Sequence, residues 1–356
     1  MVGIILYGAF ELAPYAKKYT DILDKIGEKY DLIGWRRDEV PVFEGENVFM
    51  YEGKSSKRYS PVVSKISPAF GFRRFVKSIL KKKKYDKLII LTTQSAILLF
   101  DVLLFRFKGR YIFDYRDKSY EYIKPYRMLV NGIIKNSKET VISSKWFADN
   151  LTDKKDYIIT HNFSENSLKY RKTIFDKKKT GEKLTVGYIG ALRSFEYHKH
   201  LIDCFKNDER FEFHIYGCGD DVSRLKEYAE TADNVFVHGA YKESEKYLII
   251  EKFDIMCYNY PYSYVNDGAV ANKYYDALIM KKFMFVNPKT KLGKFIDDNN
   301  LGVGVSEDGS NISNVIYNAY FKTDAQKFSK TCDYYLEKYI SEDTAFYEKI
   351  EDALEN

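Results

Sequence analysis

The stretch NDGAVANKYYDALIMKKFMFV, residues 266–286, combines a glycine-containing loop, a helix and a buried strand. The apolar spacing predicts the helix over residues 271–280 and the strand over residues 283–286. Asn272, Lys273 and Asp276 fall within the first turns of this helix, after a loop that contains Gly268. Main-chain amides at a helix N-terminus favour a phosphate, and Lys273 would add a point charge for a diphosphate.

Lys273 and Asp276 are three residues apart and therefore share one face of the helix. The Asp276 carboxylate could accept hydrogen bonds from the two hydroxyls of a ribose. The alternative is a Lys–Asp ion pair on the protein surface, which would contribute a few tenths of a kcal/mol.

Outward from this segment, short apolar runs alternate with helical patterns along the whole chain. The runs predict strands at residues 3–7, 30–35, 48–51, 88–92, 111–115, 140–143, 157–160, 185–189, 211–216, 235–238, 255–258, 283–286 and 302–305. This alternation predicts an α/β fold of two doubly wound, Rossmann-like domains facing a cleft. Ligands should then bind in loops that directly follow strands.

The charged stretch at residues 173–183 lacks periodicity and predicts a linker. We therefore expect an N-terminal, acceptor-binding domain over residues 1–172 and a C-terminal, nucleotide-binding domain over residues 184–335. A C-terminal helix over residues 336–356 could pack back on the N-terminal domain.

The composition excludes several classes of protein. Of the 356 residues, 45% are hydrophobic and 30% are charged, with 25 Phe and 32 Tyr, which argues against general disorder. No apolar run approaches the roughly 18 residues of a membrane span, and the first residues predict a strand rather than a signal peptide. The four cysteines lack metal-site spacing, so we expect no zinc site, no disulfide scaffold and a cytoplasmic protein.

The net charge of +6 is distributed unevenly: residues 1–180 carry +15 and the remainder carries −9. A basic half favours anionic membrane, nucleic acid or phosphorylated substrates. Nucleic acid is the poorer choice because the lysines come without a recognised binding motif. Compositional bias with solvated lysines is the alternative explanation for any single lysine run.

The run from Ala271 to Leu278, followed by Lys281 to Val286, resembles the donor-site segment of GT-B-fold glycosyltransferases. More narrowly, it is similar to the bacterial surface-polysaccharide members of retaining glycosyltransferase family 4. The resemblance implies that Lys273 contacts the diphosphate of a nucleotide-sugar and that Asp276 contacts its ribose. It also implies retention at the anomeric carbon.

The sequence departs from the family pattern at three positions. Asp276 replaces the usual Glu, and Ala271 replaces Pro. The family often carries a second acid eight residues before the ribose acid, where this chain has Gly268, with Asn266 and Asp267 nearby. The group that contacts the donor sugar is therefore left open.

Other segments agree with a donor site. Gly190 and Arg193 resemble the phosphate loop after the first strand of the donor domain, where Gly190 allows close backbone approach and Arg193 could clamp a diphosphate. Gly217 begins a Gly-x-Gly turn, and Tyr241 could line the pocket of the base. Gly8, after the first strand of the other half, could approach the donor closely.

The acceptor side is marked by Asp114, Arg116 and Asp117, which end a predicted strand. Asp117, or else Asp114, could orient or deprotonate the acceptor hydroxyl, and Arg116 could bind an acceptor phosphate. A structural ion-pair network is the alternative for all three residues.

The stretch PAFGFRRFVKSILKKKK, residues 68–84, has apolar residues at helical spacing, including Phe72 and Phe75. Lys81, Lys82, Lys83 and Lys84 follow at its end. This is the profile of an interfacial membrane helix, and the alternative is a core-packed helix with a solvated lysine end.

The resemblance, taken with these features, implies a metal-independent, cofactor-free glycosyltransferase for capsular, exopolysaccharide or other cell-surface polysaccharide biosynthesis. It would move a sugar from a nucleotide diphosphate-sugar to a glycan acceptor, such as a polyprenyl-diphosphate-linked one, at the inner face of the membrane. The alternatives are a non-catalytic sugar-nucleotide- or glycan-binding subunit and a sugar-nucleotide epimerase. An NAD enzyme is disfavoured because no GxGxxG follows the first strand.

Overall fold

The computed structural model describes residues 1–36, 45–53, 62–152, 156–306 and 311–356, with the backbone alone for residues 62–66. The chain divides into a first unit, Met1–His161 with Ser341–Asn356, and a second unit, Asn162–Ile340. Residues 173–183, for which the sequence predicts a linker, lie within the second unit. There the Phe175 ring is buried against Phe328, with ring centroids 4.5 Å apart.

The elements follow one another as a regular alternation of strands and helices. The strands are β1 (Val2–Leu6), β2 (Tyr30–Trp35), β3 (Val48–Tyr51), β4 (Lys87–Leu91), β5 (Tyr111–Tyr115), β6 (Glu139–Ile142), β7 (Ile158–Ile159), β8 (Leu184–Ile189), β9 (Phe211–Tyr216), β10 (Val235–Gly239), β11 (Ile255–Tyr258), β12 (Phe283–Val286) and β13 (Gly302–Gly304). The helices are α1 (Ala16–Lys25), α2 (Val62–Lys82), α3 (Thr93–Leu98), α4 (Lys124–Asn136), α5 (Phe195–Phe205), α6 (Val222–Ala229), α7 (Lys246–Glu251), α8 (Asn272–Ile279), α9 (Lys291–Asp298), α10 (Ile312–Lys322) and α11 (Ala325–Glu355).

Each unit is built on a parallel sheet. Across the described residues, the first sheet has the strand order β3-β2-β1-β4-β5-β6-β7 and the second the order β10-β9-β8-β11-β12-β13. The strand order reverses between β1 and β4 in the first unit and between β8 and β11 in the second. Doubly wound sheets bind ligands at such reversals, beyond the carboxyl ends of the strands.

The sequence prediction of a doubly wound α/β fold is confirmed. The central strands are short apolar runs buried on both faces, as parallel strands covered by helices must be, and β1, β5 and β12 are buried at every position. The C-terminal part of α11 joins the core of the first unit, where Phe346 and Ile350 are fully buried.

The apolar face of α2 packs into the first unit. Phe72 and Val76 are fully buried, and the Phe72 ring contacts Tyr7 at a centroid distance of 5.2 Å. The half-buried Phe75 contacts the Tyr51 ring at 5.7 Å. The expectation that Phe72 faces lipid is therefore wrong, because that side chain has no exposed surface to offer a bilayer.

The lysine end of the same helix is open to solvent. Lys81, Lys82 and Lys84 are exposed, whereas the Lys83 ammonium pairs with Asp31 at 2.8 Å. In the described part of the chain, every helix is too short or too polar to cross a bilayer.

Candidate functional site

The reversal between β8 and β11 carries the most unusual side chain of the second unit, Lys273. This residue lies in the first turn of α8 and is buried, with 6% of its surface exposed. Its Nζ lies 3.9 Å from the centroid of the Tyr188 ring, 4.6 Å from that of Tyr260, and 3.4 Å from the Cys257 carbonyl oxygen. Tyr188 belongs to β8, Cys257 belongs to β11, and Tyr260 lies two residues after β11. Both strands therefore contribute to this environment.

No carboxylate of the described residues lies within ion-pair distance of the Lys273 ammonium. Burying a charge costs several kcal/mol, and a ring face returns about 2 kcal/mol when the cation is desolvated. Burial lowers the pKa of Lys273, but Tyr260, Tyr188 and Cys257 more than offset this, so the pKa lies above its ordinary value. Lys273 is therefore a charged group that the described part of the chain leaves without an anion, and a bound anion would compensate it.

Gly190 lies directly beside this ammonium. Its φ of +144° is a conformation that side chains rarely adopt, and a Cβ placed there would lie 3.7 Å from the Lys273 Nζ. The loop is held from both sides, because the Gly190 amide donates to the Tyr216 carbonyl and the Tyr188 hydroxyl donates to the Ala191 carbonyl. The main chain of this loop can therefore approach a ligand closely.

The turn that begins at Gly217 packs against the same loop. A Cβ on Gly217 would lie 1.8 Å from the Gly190 carbonyl oxygen, and one on Gly219 would lie 1.9 Å from the Leu192 carbonyl oxygen. The Leu192 amide donates to the Cys218 carbonyl, which joins the two segments. Glycine is required at these positions because two main chains are in direct contact.

This contact predicts a large difference between two glycine substitutions. Gly217→Ala should lower the free energy of unfolding by about 1–3 kcal/mol or more, because the main chain must move to admit the methyl group. Gly8→Ala is the matched control, since the nearest atom to its Cβ would be in the Leu6 side chain at 3.6 Å. Denaturant unfolding measures both, and equal stability of the two variants would contradict the close packing of this turn.

Asp276 occupies the next turn of α8 and is also buried. Its Oδ1 accepts a hydrogen bond from the Tyr247 hydroxyl at 2.7 Å and pairs with the Lys246 ammonium at 3.2 Å. Burial raises the pKa of Asp276, while Lys246 and Tyr247 act against that shift. Lys273 and Asp276 therefore do not form the surface ion pair that the sequence left open, and both polar contacts of the carboxylate within the described residues use Oδ1.

The remaining donor-site candidates of the second unit lie in loops, except Asn272, which begins α8. Tyr241 is half-buried, and burial raises the pKa of its hydroxyl, with smaller effects from the charges of Glu243 and Lys246. Arg193 is exposed in the loop after β8 and affects the pKa of Tyr188. Gly268 is buried with a φ of +86°, and Asn272 is exposed at the start of α8.

Sequence reasoning missed Tyr188, Tyr260, Lys246 and Tyr247. The first two surround the Lys273 ammonium, and the other two hold the Asp276 carboxylate. Tyr188 is the penultimate residue of β8, and Tyr260 lies two residues after β11. Their positions near the ends of predicted strands could have identified them. Lys246 and Tyr247 lie in α7, and no spacing in the sequence relates them to Asp276.

In the first unit, Asp114 and Arg116 form a buried ion pair. The Arg116 Nε lies 2.7 Å from Asp114 Oδ1, and the Tyr19 hydroxyl donates to Asp114 Oδ2 at 2.8 Å. The guanidinium also stacks on the Tyr15 ring at 4.2 Å. This ion pair corresponds to the structural network that the sequence left as the alternative for Asp114 and Arg116.

Asp117 differs from these two neighbours. Its side chain is exposed in the loop after β5, and its main-chain carbonyl accepts a hydrogen bond from Thr93. Asp117 therefore remains the candidate acceptor residue of the three. Gly8 follows β1, where its carbonyl accepts from the Trp35 amide.

The described residues contain no cluster of three or more His, Cys, Asp or Glu side chains suited to a metal ion.

Several solved structures share this arrangement of elements over nearly the whole chain. Sucrose-phosphate synthase from Thermosynechococcus elongatus superposes with a TM-score of 0.71 at 11% identity, covering 99% of this chain and 98% of that one. Anabaena HepE in complex with UDP gives 0.67 at 11% identity, with 99% and 100% covered. The lipopolysaccharide outer core galactosyltransferase WaaB gives 0.63 at 10% identity, with 99% and 98% covered.

No protein-family model and no curated protein matches the sequence. The structural likeness, with the two parallel sheets and their strand orders, shows that the chain has the GT-B fold of these glycosyltransferases.

Proposed function

We propose that the protein is a glycosyltransferase that uses a nucleotide diphosphate-sugar as donor. The observation that carries this proposal is the buried, charged Lys273, which has no carboxylate partner among the described residues and lies beside the Gly190 loop at the strand reversal. A diphosphate bound there would neutralise the ammonium and accept hydrogen bonds from loop amides. Chains of this fold bind such ligands: one HepE structure is a complex with UDP-glucose.

The leaving diphosphate would be stabilised electrostatically during transfer. Lys273, the N-terminus of α8 and the exposed Arg193 supply positive charge where negative charge develops on the leaving group. In this proposal these groups do the work that a metal ion does in other transferases. Retention at the anomeric carbon rests on the sequence resemblance alone.

Binding and turnover assays with UDP-glucose, ADP-glucose, GDP-mannose and dTDP-glucose test this proposal. We expect one of them to bind and to release its nucleoside diphosphate only when a glycan acceptor is present. Absence of binding by all four would contradict the proposal. Conversion of the sugar without an acceptor would point to an epimerase instead.

A non-catalytic binding subunit is the second candidate, because Gly268 stands where the resembling family often carries an acid. Such a subunit would bind the nucleotide-sugar in the same assay without turnover under any acceptor condition.

Asp276 should recognise the ribose through Oδ2, since Tyr247 and Lys246 occupy Oδ1. Hydrogen bonds to a charged group contribute about 1.5–3 kcal/mol each, so removal of one ribose hydroxyl should weaken binding about tenfold or more. In Asp276→Asn, the 2′-deoxy, 3′-deoxy and parent nucleoside diphosphates should bind nearly alike. The exposed Asp298, changed to Asn, is the control and should keep the discrimination. Full discrimination in Asp276→Asn would contradict this assignment.

The acceptor in this proposal is a polyprenyl-diphosphate-linked glycan of a surface polysaccharide, presented at an anionic membrane on its cytoplasmic side. The exposed lysines at the end of α2, and not its buried apolar face, would contact the lipid headgroups. Each basic residue near an anionic surface contributes about 1 kcal/mol.

Replacement of Lys81–Lys84 by Gln should therefore weaken binding to phosphatidylglycerol vesicles by about 100-fold, given three exposed lysines. Sedimentation with vesicles measures this effect. A control variant with Gln at Lys322, Lys327, Lys330 and Lys338 removes the same charge from the second unit. Equal loss in both variants would show a general charge effect and contradict a specific role of α2.

A further inference from the structure

The first turn of α5 carries a buried histidine, His198, that the proposed function does not use. His198 is 1% exposed, and its Nδ1 lies 2.6 Å from the Ser194 carbonyl oxygen. Because a carbonyl can only accept, Nδ1 carries the proton, and in the neutral ring Nε2 is a bare acceptor. This Nε2 is buried, and no described residue is its hydrogen-bond partner. A buried polar atom without a partner calls for an explanation.

The ring of His198 lies against the side chain that organises the site. It meets Tyr188 edge-on, with centroids 4.9 Å apart and planes at 89°. The other contacts of Tyr188 are the Lys273 ammonium over its ring and the Ala191 carbonyl at its hydroxyl. His198 and the Lys273 ammonium therefore both contact the Tyr188 ring.

The groups that affect the protonation of His198 come from three elements and one loop of the second unit. The rings of Tyr188, in β8, and Tyr197, in α5, contact the His198 ring. The charged groups that act on it are the cation Lys273, in α8, and the anion Asp221, before α6. Burial lowers the pKa of His198 and Lys273 lowers it further, while the Ser194 carbonyl and Asp221 raise it, with a net shift downward. Without a ligand, His198 is therefore neutral near pH 7.

A neutral His198 cannot help to bind a diphosphate, because bare Nε2 and phosphate oxygen are both acceptors. Protonation at Nε2 changes the ring into a donor and a cation. The negative charge of a bound diphosphate favours that protonated form.

We propose that His198 takes up a proton from solvent when the donor diphosphate binds, and that the resulting imidazolium adds a cation to the donor site beside Lys273 and Arg193. The new N–H bond forms at Nε2, and no other bond changes. This inference rests on the proposed function and adds a specific proton-linked residue to it.

The affinity for the donor should therefore depend on pH. In the pH range between the pKa of His198 in the free protein and its higher pKa in the complex, only the complex holds the extra proton. Lowering the pH through that range should therefore tighten binding, by up to tenfold per pH unit. Below the lower pKa the affinity should level off, because both states are protonated.

Isothermal titration calorimetry with UDP-glucose, or with whichever of the four nucleotide-sugars binds more tightly, measures this uptake directly. The diphosphate of a nucleotide-sugar has no group that titrates near neutral pH, so uptake must come from the protein. Titrations at pH 6.5 in two buffers of different ionisation enthalpy should show uptake of a measurable fraction of one proton. His198→Gln should abolish the uptake, and His200→Gln, on the same helix beside Cys204, should preserve it.

Nitrogen-15 NMR of the wild-type imidazoles provides a second measurement that needs no variant. His198 should be neutral with the proton on Nδ1 in the free protein and doubly protonated in the complex. Binding without proton uptake, or uptake that persists in His198→Gln, would overturn the role of His198 alone. Failure of all four nucleotide-sugars to bind would overturn the proposed function and this inference with it.

Discussion

Lys273→Met should reduce the affinity for nucleotide diphosphate-sugars by about 100-fold or more while leaving the fold at least as stable. Loss of one partner of a buried charge pair costs about 2–5 kcal/mol of binding. In the free protein the same ammonium is buried, and no carboxylate of the described ranges pairs with it, so methionine, which has a similar volume, removes the cost of burying that charge. Calorimetric titration and denaturant unfolding measure the two quantities.

The selectivity of this loss distinguishes a phosphate contact from general damage. Affinity for the free nucleoside should fall far less than affinity for the nucleoside diphosphate. Lys282→Met is the matched control, because the Lys282 ammonium donates to the Glu251 carbonyl away from the site. Equal losses for nucleoside and diphosphate, or a strongly destabilised Lys273→Met, would show that Lys273 has a structural role.

Asp117→Asn should leave donor binding unchanged and lower the rate of sugar transfer by about 100-fold or more, the scale expected for a positioned acid–base group. Asp117 is exposed beyond β5, at the carboxyl edge of the first sheet, whereas its neighbours Asp114 and Arg116 pair with each other. A donor titration beside a transfer assay separates the two effects.

Asp86→Asn is the control for this variant, since Asp86 is exposed before β4, at the opposite edge of the same sheet. It should transfer sugar at the wild-type rate. If Asp117→Asn also does so, Asp117 has no part in the chemistry, and Asp267 becomes the next candidate.

The strands of this protein could be predicted from sequence because each is a short apolar run between polar loops, and parallel strands covered on both faces have that pattern. β5 and β12 were predicted with their observed bounds. The bounds of the helices were less exact: the pattern predicts a helix over residues 271–280, and α8 spans Asn272–Ile279.

The residues of the site could be predicted only where they lie close together in the sequence. Lys273 and Asp276 share a helix after a glycine loop, and the structure buries both in the same helix beside the strand reversal. Their partners could not be found in this way, because Tyr188 and Lys246 come from distant parts of the chain and meet α8 only through the sheet order.

The amphipathic pattern of α2 illustrates another limit. A helix with one apolar face and a basic end has the same sequence whether that face meets lipid or the protein core. Phe72 packs against Tyr7 of the first unit, and only the three-dimensional contact distinguishes the two cases. Likewise, nothing in the sequence of residues 114–117 indicates that the hydroxyl of Tyr19, in α1, donates a hydrogen bond to Asp114.

A crystal structure of the protein with a bound nucleotide diphosphate-sugar tests the central claim most directly. We expect the diphosphate within hydrogen-bond distance of the Lys273 Nζ and of main-chain amides in the Gly190 loop, and the ribose hydroxyls on Asp276 Oδ2. A nucleotide bound elsewhere, with Lys273 still lacking an anionic partner, would contradict the account.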